Sequence, residues 1–144
     1  MRKTILGLTV GVMASWTCGP AAQTFAPRLY DVTTETGLPH LEENLRYATT
    51  RSTLCLGQQQ LATAFPILKH EALKGCKLEQ GHGAGESIRF VLNCTGASET
   101  TGAAVWLVDD LGIRGTLDVK LGGKNMTFYQ RISGRPVGTC TPGD

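Results

Sequence analysis

The sequence predicts a mainly β protein: an antiparallel curved sheet or partly open barrel of about seven strands, with one short helix and disulfide staples. Three observations carry this. Residues 113–121 alternate without a break, Ile113, Gly115, Leu117, Val119 and Leu121 against Arg114, Thr116, Asp118 and Lys120, which is the period of a strand with one face buried and one wet. Extended arms, Cys76 to Gln80 and Glu86 to Cys94, flank the turn-forming Gly81-His-Gly-Ala-Gly85. Four widely spaced cysteines, Cys55, Cys76, Cys94 and Cys140, follow a leader-like N-terminus.

The elements follow in chain order. Leu29 to Glu35 is rich in β-branched and aromatic residues and is predicted as the first strand, ending before Gly37. Residues 38–45 read as an ordered loop, and the Thr-rich stretch from Tyr47 to Leu56 as the second strand. Gly57 to Phe65 holds helix-forming residues with Leu61 and Phe65 four apart, so the one helix is expected there, limited by Pro66. The hairpin of residues 76–94 supplies two strands. Thr101 to Val108, Ile113 to Leu121 and Met126 to Ser133 supply three more, separated by the turns Asp109-Asp110-Leu111-Gly112 and Gly122-Gly123-Lys124-Asn125.

The first 22 residues stand apart. Arg2 and Lys3, an apolar run from Thr4 to Trp16, and the small residues Gly19-Pro20-Ala21-Ala22 form the pattern of a secretory signal, with cleavage expected after Ala22. Trp16 sits where a lipoprotein signal wants a small residue before Cys18. One β-rich domain, residues 23–144, is expected to remain, in the periplasm or outside the cell. Its formal charge falls from +2 to zero, since Arg2 and Lys3 leave with the signal, and one of the five cysteines leaves too. A neutral chain lacks the electrostatic footprint of a nucleic-acid partner. It also holds no apolar run of the 18 or more residues needed for a spanning helix.

An even number of cysteines in a small exported domain reads as two disulfides, with three connectivities open. A hairpin centred near Gly85 sets Cys76 opposite Cys94, so Cys76–Cys94 is preferred, leaving Cys55–Cys140. The cysteine spacings do not form a zinc knuckle, and C-x-x-C-H is absent. His40, His70 and His82 are isolated, and Gly81 to Ser87 lacks the Lys-Ser/Thr of a phosphate loop. Asp109 and Asp110 are explained by a hairpin turn more economically than by a carboxylate pair. No catalytic residue, cofactor or metal is therefore expected. Trp106, Tyr129 and His82 are the candidates to face a ligand, the first two as aromatics inside a curved sheet and His82 from the glycine-rich turn.

The opening Arg28-Leu-Tyr-Asp-Val-Thr-Thr-Glu-Thr, the Thr-rich strand ending at Cys55, the spaced Cys76 and Cys94, and the closing Met126-Thr-Phe and Gly134-Arg-Pro-Val-Gly-Thr-Cys140 resemble the DUF3617 family of exported bacterial proteins. The family opens on G-L-W-E-V-T-T. Here Tyr30 stands at the tryptophan, and no glycine directly precedes the strand. The resemblance covers nearly the whole processed chain and implies an exported β-rich domain, with no activity or cofactor to carry over. The expected function is thus non-enzymatic binding of a small apolar ligand or a periplasmic protein. An accessory subunit of a larger periplasmic complex and a small hydrolase or metal-dependent enzyme are the alternatives.

Overall fold

The computed structural model describes residues 26–39, 47–81, 87–96, 99–122 and 126–141. Alternation organises nearly every strand. β6 (Gly112–Leu121) buries Ile113, Gly115, Leu117 and Val119 and exposes the four polar residues between them. β1 (Arg28–Gly37) buries Tyr30, Val32 and Thr34; β4 (Ser87–Cys94) buries Phe90 and Leu92; β5 (Thr101–Asp109) buries Ala104 and Trp106. β7 (Met126–Gly138) buries Phe128, Gln130 and Ile132. With β2 (Tyr47–Leu56) and β3 (Cys76–Gln80) these strands form one antiparallel sheet in the order β2-β1-β7-β6-β5-β4-β3.

That order is an up-and-down meander, β3 to β7, continued by β1 and β2. It would close as a barrel if β2 met β3, but among the described residues neither strand pairs on its outer side, so the sheet is open. The chain from β2 to β3 runs from one edge to the other. Laid flat, seven strands would hold those edges roughly 29 Å apart. Yet the turn at Leu61–Thr63, five residues past the end of β2, already lies against β3. Five residues reach about 17 Å at most, so the sheet curls and brings its edges towards each other.

The connecting segment straps the apolar face of the sheet. It contains three 3-10 turns, Leu61–Thr63, Pro66–Lys69 and Glu71–Leu73, in place of the helix expected from Gly57 to Phe65. Its backbone bonds all close over three residues, from Gln60 N–H to the Gly57 carbonyl through Lys74 N–H to the Glu71 carbonyl. The interruption has a local cause. A residue before proline is pushed out of helical geometry, and Phe65, ahead of Pro66, is extended at φ −80°, ψ 112°. The i, i+4 spacing of Leu61 and Phe65 nevertheless serves burial, since both are fully enclosed, as is Leu73. The Phe65 ring meets Trp106 at 5.0 Å between centroids, and Trp106 lies over Gly115 of β6, where an added Cβ would come within 2.6 Å of the indole.

One polar side chain fastens the strap. Gln130, on the buried face of β7 and only 4% exposed, accepts a hydrogen bond from Ile67 N–H at 3.2 Å and donates to Thr36 Oγ1 at 2.8 Å. Gln130→Leu leaves both partners without it, so unfolding free energy is expected to fall by about 1–3 kcal/mol. Amide exchange at Ile67 should accelerate more than exchange in β6, and equal acceleration at both would show that the glutamine does not hold the strap.

Two disulfides complete the fold. Cys76 and Cys94 are directly opposed in the β3–β4 register, with Cα atoms 3.9 Å apart. Cys55, near the end of β2, joins Cys140, just past β7, with Cα atoms 5.6 Å apart. β7 runs on to Gly138, well past the Ser133 expected from sequence. Beyond Gly134 it pairs only with β1, where Asp31 opposes Arg135 and Tyr30 opposes Pro136. A strand paired on one side tolerates a residue without an N–H. The signal segment 1–22, Cys18, His40 and His82 lie outside the described residues.

Candidate functional site

The strap covers one face of the sheet, so the side chains on the other face are the ones presented to the surroundings. Register orders them into rows. One row crosses four strands as Arg51 on β2, Thr33 on β1, Ser133 on β7 and Arg114 on β6. The next row towards the strand ends holds Thr53, Asp31 and Arg135. The row on the other side holds Thr49, Glu35, Arg131 and Thr116, continuing to Val105 and Arg89. Adjacent strands lie about 4.8 Å apart, which makes Thr33 and Ser133 immediate neighbours with an arginine one strand further out on each side.

Around this row lies an open groove of about 450 Å³, bounded by Asp31, Arg51, Arg114 and Arg135 and, at one end, by the β5–β6 turn. The turn is held by Asp109, whose Oδ1 accepts from the N–H groups of Leu111 and Gly112, both at 2.9 Å. Asp109 is therefore a turn residue, as its position before Gly112 implies. Its other oxygen meets Arg114 at 3.4 Å, and Asp31 meets Arg135 at 3.4 Å. Both arginines are more than two-thirds exposed, so these pairs contribute little to stability. Arg51 has no ion-pair partner among the described residues, and the Thr33 and Ser133 hydroxyls make no hydrogen bond to the protein there. Three guanidinium groups against two carboxylates leave the groove with one excess positive charge.

Tyr129 reaches the same open face, two rows away. Its hydroxyl donates to Glu35 Oε1 at 3.2 Å, and the Arg131 guanidinium lies 4.6 Å from its ring centre. The ring sits over Gly37, the residue opposite it on β1, where any Cβ would collide with it. Its phenol pKa lies above the ordinary tyrosine value of 10.0 because its surroundings keep water from the phenolate, and then because it donates to the Glu35 carboxylate. Tyr129 also borders a shallow, more apolar groove with Pro39, Ala103 and Phe128.

Trp106 corrects the expectation that it faces a ligand. It points to the strapped side, is 0% exposed and packs on Phe65, so it fills the core. The indole Nε1 has no hydrogen-bond partner among the described residues. His70 ends one turn of the strap, with Nδ1 accepting from Ala72 N–H at 3.1 Å. Among the described residues no three of His, Cys, Asp and Glu gather where they could hold a metal ion.

Sequence reasoning did not single out the Arg51-Thr33-Ser133-Arg114 row, because its members come from four strands and lie up to 100 positions apart. The one linear trace is that Thr33 and Arg114 sit between buried residues of alternating strands and Ser133 follows one; Arg51 lies in the exposed, non-alternating part of β2. No helix among the described residues is long and apolar enough to cross a membrane. No protein-family model matches the chain, and neither the curated proteins nor the solved structures yield a match.

Proposed function

We propose that this is an exported, non-enzymatic binding protein that meets a protein partner with the face of its sheet opposite the strap. The observation that carries the reading is the contrast between the two faces. The strapped face is filled by Trp106, Phe65, Leu61, Leu73, Leu117 and their neighbours, which leaves the interior to packing. The other face carries arginines, hydroxyls and carboxylates on rigid strands, and rigid elements hold a recognition surface more accurately than loops. An apolar ligand enclosed by the sheet is correspondingly disfavoured. Two disulfides agree with an oxidising compartment, and the leader-like first 22 residues and the resemblance to DUF3617 proteins belong to the same reading.

A photo-crosslinking residue placed at Thr116, in intact cells of the source organism, is expected to give a discrete adduct outside the cytoplasm. The same residue at Lys69, on the strap, should give none. Adducts of the same mass from both positions, or none from either, would overturn the reading.

A further inference from the structure

We propose that the groove around Arg51, Thr33, Ser133 and Arg114 binds a carboxylate side chain on an acidic segment of that partner. The inference rests on the open face being the binding face, and adds which chemistry it recognises and where. Four observations converge on it. The groove has one excess positive charge, which a single carboxylate neutralises. Arg51 has its full set of donors uncommitted among the described residues, while Asp31 and Asp109 are each held by an arginine of their own. The two hydroxyls lie side by side on adjacent strands, with neither donating within the described protein.

These parts fit a planar, singly charged acceptor. A guanidinium presents two parallel N–H donors that match the two oxygens of a carboxylate. Arg51 approaches from the β2 side and Arg114 from the β6 side, with Thr33 and Ser133 supplying hydroxyl donors on the floor between them. A doubly charged phosphate would exceed the excess charge and crowd Asp31 and Asp109, each one row or one turn away. The groove is also larger than one carboxylate needs, so the flanking residues of an acidic segment have room beside Leu111, which is 86% exposed at the rim.

The test uses the processed chain with both disulfides intact and a blocked Glu-Gly-Glu peptide as probe. Amide signals of Thr33, Ser133 and Gly134 should shift saturably on titration by NMR. Blocked Gln-Gly-Gln should produce no such shifts, and inorganic phosphate should bind more weakly than the acidic peptide. Arg51→Gln should weaken the acidic peptide about fivefold, the upper range for one exposed ion pair. Arg89→Gln, which removes a charge from β4 on the same face, should leave affinity unchanged. Buried tryptophan fluorescence checks that each variant is folded.

Absence of saturable shifts overturns the proposal, as does phosphate binding more tightly than the peptide. Equal weakening by Arg51→Gln and Arg89→Gln also overturns it, because that marks diffuse attraction without a site. A successful crosslink at Thr116 together with a failed titration leaves the face as the binding surface and removes the carboxylate. The reverse result keeps the carboxylate site and removes the protein partner.

Discussion

Replacing Trp106 with alanine is expected to lower unfolding free energy by about 3–5 kcal/mol, the range for an enclosed large aromatic. A domain of ordinary stability holds only about 5–15 kcal/mol in total, so the variant should be marginal. The magnitude follows from what the ring touches. Trp106 is completely buried, joins the strap to the sheet through Phe65, and occupies the space above Gly115 where no side chain fits. Truncation opens a cavity between two layers that nothing nearby can refill. Trp106→Phe should be much milder, because it keeps a ring against Phe65 and removes an indole N–H that has no partner among the described residues. Urea denaturation of the three proteins decides the matter. An alanine variant as stable as the phenylalanine one would mean that the strap packs elsewhere.

The second large effect concerns the disulfides, and it is an ordering. Removing Cys55–Cys140, with both cysteines replaced, should cost more than removing Cys76–Cys94. The first bridge closes a sequence separation of 85 and the second one of 18. By the loop-entropy relation these correspond to about 4–5 and about 3 kcal/mol. Structure adds to the same order. Cys76 and Cys94 join strands already paired in register, whereas Cys140 ties the chain end back to the edge strand β2, across the neighbourhood of β1. Denaturation midpoints of the two double variants provide the comparison. A larger loss from the short-range pair would show that the unfolded chain is not the main thing these bonds restrain.

Some of this was legible in the sequence, for reasons tied to distance along the chain. The unbroken alternation of residues 113–121 was enough to assign β6 and its faces, and a glycine-rich turn was enough to set Cys76 against Cys94. Both depend on residues a few positions apart. The pairing of β1 with β7 depends on residues about 100 apart, and alternation says which face a residue takes without saying which strand lies beside it. Trp106 was misjudged for that reason, since the glycine that makes room for it lies on another strand. The spacing of Leu61 and Phe65 points to a helix, but Pro66 holds Phe65 extended, and the segment forms 3-10 turns in which both side chains are buried. The arginine and hydroxyl row is invisible to any linear motif, as it exists only once β2, β1, β7 and β6 are side by side.

The place of β1 between β2 and β7 also sets an order of events. Ribosomes release β1 and β2 first, and these strands can form a hairpin at once, with Arg28 opposite Leu56 and Gly37 opposite Tyr47. The other side of β1 must wait for Tyr129 to Gly138, about 100 positions further along the chain. A two-stranded hairpin is marginal by itself, so β1 and β2 gain a lasting place only when β7 pairs with β1. β7 is thus the wedge that unites β1 and β2 with β3 to β6. Without β7, the β1–β2 pair has no strand of the remaining sheet beside it.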